Sequence, residues 1–140
     1  MTSFVLDASM ALAWHFPDEA SSRANAIASL SDVATIVLPS HWFAEIANGM
    51  LVGERRRRTT SEERVRFIDR IKLLDVDVDG PDPNRMFDAI LPLARAHGLT
   101  IYDTLYLELA ERRGLPLASL DDELNAAARR VGIELVEETT

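Results

Sequence analysis

The chain contains no cysteine, and its 15 basic residues include a single lysine, Lys72. Without cysteine there is no disulfide framework, no thiolate nucleophile and no thiolate metal site. The absence fits an intracellular protein, and a cytoplasmic location is the expectation. A Walker A phosphate loop needs lysine in a glycine-rich context, and Lys72 stands between Ile71 and Leu73. No stretch approaches the ~18 apolar residues of a membrane span. The N-terminus has no basic segment and Asp7 interrupts its apolar run, so no signal peptide is expected. Repeats, low-complexity tracts and linkers are also missing, which predicts one domain over residues 1–140.

What is present is an ordinary globular composition with an acidic balance: 47% hydrophobic residues, 27% charged, and a net charge of −8. That charge argues against a general nucleic-acid coat protein. It leaves a nuclease open, because acids that gather divalent cations add to the same negative count.

Short apolar runs alternate with helical patterns. Phe4-Val5-Leu6 reads as a buried strand with Asp7 at its carboxyl end, followed by a short helix through Met10 to Trp14. Asp18 to Leu30 reads as a second helix, Ile36-Val37-Leu38 as a strand stopped by Pro39, and Ser40 as the cap of a helix reaching Val52. Thr60-Ser61-Glu62-Glu63 is a capping box opening a helix marked by Val65, Ile68 and Ile71. Leu74 to Val78 alternates as an exposed or edge strand would. Asp82-Pro83 starts a helix that ends at Gly98, with a kink expected at Pro92. Thr100 caps a helix that stops at Gly114. Leu115 to Ala118 is a strand, Asp121 to Arg130 a helix, and Ile133 to Val136 a last strand. Such alternation predicts a three-layer α/β/α domain with a short-stranded, mostly parallel central sheet.

The helix after Thr100 poses the functional question. At roughly 100° per residue, Glu108, Glu111 and Arg112 fall on a polar face. Asp103 shares its stripe with Leu99, Tyr106, Leu107 and Ala110, which should face the core. An ionised carboxylate there costs on the order of several kcal/mol unless compensated. Thr100-x-x-Asp103 is also a capping-box pattern, so a purely local role for Asp103 stands beside a functional one. Asp7 follows the first strand, Glu45 lies early in the helix after the second, and Asp121 follows the Leu115–Ala118 strand. In a parallel sheet these positions lie at the carboxyl rim where ligands bind, and Asp103 should join them. Four carboxylates there raise one another's pKa values unless cations intervene. Hard oxygen donors of this kind suit Mg²⁺ or Mn²⁺.

The order and spacing of Phe4-Val5-Leu6-Asp7-Ala8-Ser9, Glu45 with Asn48, Tyr102-Asp103-Thr104-Leu105-Tyr106-Leu107-Glu108-Leu109-Ala110 and Leu117-Ala118-Ser119-Leu120-Asp121 resemble the PIN-domain ribonucleases. They resemble more closely the VapC-type toxins of toxin–antitoxin pairs, and Ala127 to Ile133 looks like that family's last helix and strand. The resemblance implies that Asp7, Glu45, Asp103 and Asp121 hold Mg²⁺ or Mn²⁺ for hydrolysis of RNA. It makes Ser9, Asn48 and Ser119 supporting polar residues. It further implies a homodimer and a VapB-type antitoxin. Ser119 stands where the family usually has threonine, and Thr104 where it often has alanine. Asp122 adjoins Asp121 and is an alternative fourth ligand, although the spacing after Ser119 favours Asp121.

Other signals carry less. Asp75-Val76-Asp77-Val78-Asp79-Gly80 opens like an EF-hand loop, but Met86 replaces the glutamate required at its twelfth position. Arg55 to Arg58 reads as a solvated helix end, or as a contact for RNA phosphates. His15, His41 and His97 have no partner motif, and Trp14, Trp42 and Phe43 read as packing. Two other functions remain in view. A haloacid-dehalogenase-like phosphohydrolase would need a second acid where Ser9 stands. A PIN-like module that binds RNA or protein without cleaving would need no metal.

Overall fold

The computed structural model describes residues 2–136. Four strands, β1 (Ser3–Leu6), β2 (Thr35–Pro39), β3 (Asp75–Asp79) and β4 (Leu117–Ala118), form one wholly parallel sheet in the order β3-β2-β1-β4. Phe4, Val5, Leu6, Ile36 and Leu38 are buried, as strands covered on both faces require. Around the sheet lie α1 (Ala8–Ala13), α2 (Ser22–Ser31), α3 (Trp42–Arg55), α4 (Ser61–Lys72), α5 (Pro83–Arg85), α6 (Leu91–His97), α7 (Ile101–Arg113) and α8 (Asp122–Arg130). The arrangement is the three-layer α/β/α expected. β3 takes the edge, as its alternating pattern predicts. Its acids are spent on neighbours: Asp75 accepts from Thr35, Asp77 pairs with Arg113, and Asp79 pairs with Arg112.

Several local expectations are corrected. The second helix begins at Ser22, because Ser21 Oγ accepts from Ala24 N (3.0 Å), while Pro17–Glu19 makes only a 3₁₀ turn. Ser40 does not cap α3: its amide donates to Asp79 O and prolongs the sheet, leaving His41 at the cap position without a side-chain bond. The strand expected from Leu115 starts only at Leu117. The strand expected over Ile133 to Val136 reduces to one parallel bridge, Leu117 to Leu135, since β4 is too short to offer more rungs. Pro92 produces a π-helical turn over Met86–Ile90 between α5 and α6. Its ring would collide with the Asp88 carbonyl in a regular helix, and the wider turn removes the clash.

The largest correction concerns α7. It packs on β1, β2, α6 and α8, so residues 104–110 are all buried and no polar face exists at Glu108. Glu108 is 6% exposed and lies between two guanidiniums, Arg85 and Arg112, whose Nε donates to its Oε1 at 3.0 Å. Arg112 also reaches Asp79 (2.7 Å), tying α7 to the edge strand.

Two features of this frame position the site. β2 lies on one side of β1 and β4 on the other, so the chain reverses its winding direction there and opens a crevice at the carboxyl ends. α3 lies close to α1 because Gly49 and Gly53 leave room for Leu12 and Phe16: a Cβ at either would stand 2.7 Å from those side chains.

Candidate metal centre

Asp7 ends β1 and caps α1, so the backbone that closes the strand also aims its carboxylate. It is 4% exposed. Its Oδ2 accepts from Ser9 Oγ at 2.8 Å and Ser119 Oγ at 2.6 Å. Burial raises its pKa, the two hydroxyls pull it back, and Glu45 raises it further. Ser119 also accepts from Asp121 N at 2.9 Å, and Ser9 accepts from Leu120 N at 3.2 Å. The two serines therefore stitch the rim of β1 to the rim of β4.

Asp121 caps α8 through Leu124 N (3.0 Å) and is half-buried, whereas Asp122 is exposed on the first turn. Glu45 sits in the first turn of α3. Its Oε1 accepts from the Tyr106 hydroxyl at 2.8 Å, and His41 Nε2 lies 2.7 Å from the same oxygen without lining up as a hydrogen bond. Asp103 occupies the first turn of α7, where Thr100 Oγ1 accepts from its amide (3.1 Å). The cap is made by Thr100, and Asp103 contributes its amide to it. Asp103 is pushed up to about 6, by burial first and then by the charges of Asp121, Asp7 and Glu45.

Asp103 thus stands within electrostatic reach of Asp121, Asp7 and Glu45, and Asp7 within reach of Glu45. Asn48 lies one turn beyond Glu45, exposed at the rim. Among the described residues no arginine or lysine pairs with any of the four. Four hard oxygen donors with a shortage of positive charge fit a divalent cation. Among the described residues no three His, Asp or Glu groups converge tightly enough to hold one as they stand. The fit is therefore one of donor type and charge, without a finished coordination shell.

Sequence reasoning missed Tyr106 and gave His41 no partner. Tyr106 is fully buried beneath Asp7 and Glu45; its oxygen donates to Glu45 and accepts from Ala8 N at 3.4 Å. Burial, Asp7 and Glu45 all raise its pKa, so the phenol keeps its proton. A tyrosine in an otherwise apolar stripe carries one usable signal, since a buried hydroxyl needs a partner. His15 and His97 are spent elsewhere, on Thr59 and Arg130. Of the arginine block, Arg58 is held by Asp18 and Glu19 and covers the Phe16 ring, while Arg55, Arg56 and Arg57 are exposed.

The family model described as PIN domain matches residues 4–130. Ribonuclease VapC3 of Pyrobaculum aerophilum is 28% identical over 121 residues, covering 86% of this chain and 90% of that protein. The crystal structure of PAE2754 from the same organism superposes with a TM-score of 0.66 at 25% identity, covering 90% of this chain and 79% of that one. VapBC2 from Rickettsia felis, crystallised on a DNA fragment from its promoter, matches in fold with a TM-score of 0.61 at 16% identity, over 96% and 98% of the two chains.

Proposed function

The chain belongs to the PIN-domain family, and from that premise we propose that it is a metal-dependent endoribonuclease acting as the toxin of a type II toxin–antitoxin pair. One observation carries the reading. Asp103, half-buried at the carboxyl rim, is pushed up to about 6 by burial and then by the charges of Asp121, Asp7 and Glu45, which come from three other parts of the chain. The name of the Pyrobaculum relative supports ribonuclease activity, and the Rickettsia complex supports a VapB-type antitoxin as partner.

Asp7, Glu45, Asp103 and Asp121 would hold a Mg²⁺ or Mn²⁺ ion here, and the ion would supply Lewis acidity for hydrolysis of a phosphodiester. Asp7 contributes a carboxylate fixed by Ser9 and Ser119, so little ordering remains when the ion arrives. Glu45 is held through Oε1 by Tyr106, which leaves Oε2 available as a donor. Asp103 and Asp121 complete the charge. A phosphoaspartate route of the haloacid-dehalogenase kind needs its second acid two residues after Asp7, where Ser9 stands and donates to Asp7 instead.

RNA is the substrate, and the working form is a cytoplasmic homodimer released from its antitoxin. Among the described residues no helix is long and apolar enough to cross a membrane. The test is purified protein on total RNA with Mg²⁺, Mn²⁺ or EDTA. Cleavage should need the metal and fall by at least about 100-fold in Asp103→Asn, the loss typical of removing one electrostatic stabiliser. Undiminished cleavage by that variant overturns the assignment.

A further inference from the structure

Beside the carboxylates lies an open depression of about 310 Å³ lined by His41, Ala44, Glu45, Asn48 and Tyr102. Clefts that hold small organic ligands begin near ~300 Å³. Tyr102 directly precedes Asp103 and is 64% exposed, although it stands in the first turn of a helix whose residues 104–110 are all buried. The ring of His41 lies 5.8 Å from that of Tyr102 at 44°, and 5.1 Å from that of Tyr106. His41 therefore backs the exposed ring and limits its movement. Asn48 adds an amide with two donors and an acceptor at the rim.

We infer that this depression is a subsite for an unpaired nucleobase of single-stranded RNA next to the scissile phosphate, with Tyr102 as its stacking platform. The inference rests on the ribonuclease reading above. Glu45 joins the two places: it lines the depression and belongs to the acidic set, so a base seated there keeps its phosphate at the carboxylates. In an acidic protein the phosphate backbone gains little attraction of its own, so affinity must come from elsewhere. Stacking of splayed bases on aromatic side chains is the usual route for single strands, and every base has a face to offer. The neutral amide of Asn48, beside a tyrosine and a histidine, can meet a base edge without repelling it. A base-paired strand cannot enter, because its bases are already stacked.

The experiment measures fluorescence anisotropy of a labelled, mixed-sequence single-stranded oligoribonucleotide in EDTA, where no cleavage occurs. Wild type, Tyr102→Ala and Tyr102→Trp are compared, with the same oligonucleotide as a duplex for control. Tyr102 is exposed, so both variants should fold; circular dichroism checks this. Tyr102→Ala should weaken single-strand binding roughly tenfold or more, the loss typical of one stacked base, and Tyr102→Trp should preserve it. Duplex binding should be weaker and unchanged by either variant. Equal single-strand affinity of wild type and Tyr102→Ala overturns the subsite. So does a Tyr102→Ala variant that only changes the sedimentation of the protein, which makes the ring a contact between copies of this chain. Cleavage with Mn²⁺, assayed in parallel, separates the two ideas. Cleavage with no effect of Tyr102 rejects the subsite alone, and a Tyr102 effect without cleavage rejects the nuclease alone.

Discussion

At Asp103 burial and like charges hold a proton on the carboxyl up to about 6, against 3.8 for an isolated aspartate. The raised value means that this group's contribution to stability is complete below 3.8 and is lost as pH rises through about 6. Asp103→Asn removes the loss. The metal-free variant should therefore be more stable than wild type at neutral pH, by roughly 1 kcal/mol once solvent screening of a half-exposed group is allowed for. Denaturant titrations should show the gap closing on acidification, and no gap at neutral pH contradicts the account. Tyr106→Phe should act in the opposite direction. It strips a partner from Glu45 and from Ala8 N, costing about 1–2 kcal/mol in the same titration. Mn²⁺ affinity should fall too, because Glu45 is then free to turn. Asp103 stood out in the sequence because charge among apolar residues demands compensation. Tyr106 did not, because a tyrosine among leucines already satisfies the demand for packing.

α7 is the element that sequence periodicity describes least well. A helix covered on one side shows an apolar stripe, but this one is covered nearly all round by the sheet, α6 and α8. Helical spacing puts Glu108 on a polar face, yet the residue is buried against Arg85 and Arg112. No local pattern announces a partner 23 residues away. Glu108→Ala would leave Arg85 without its partner and Arg112 with only Asp79, which for guanidiniums that keep some contact with solvent costs about 2 kcal/mol. Chemical denaturation should show this as a lower midpoint with the slope unchanged. A loss below about 1 kcal/mol would mean that the arginines simply turn to solvent. The ends of α7 were legible, because Thr100 and Gly114 act through chemistry confined to one turn: a hydroxyl bonded to the Asp103 amide, and a left-handed residue at φ 63°. Pro92 was legible as a disturbance, but not as the π turn that absorbs it.

For the whole molecule, alternating strands and helices specified a parallel sheet, and Asp7 and Asp121 were placed at its carboxyl rim from chain order alone. The strand order that sets β1 between β2 and β4 was not readable locally, because it depends on which side each crossover passes. That order opens the crevice, and the two serines bridge it. The architecture thus assembles four acids with no fixed cation among the described residues to balance them, a cost in stability that a divalent ion would repay. The most direct test is calorimetric titration of Mn²⁺ into wild type and into Asp7→Asn, Glu45→Gln, Asp103→Asn and Asp121→Asn. The account predicts binding by wild type at neutral pH, weakened at least about tenfold by each substitution, as loss of a charged oxygen donor requires. Binding of equal strength by all five proteins would contradict it.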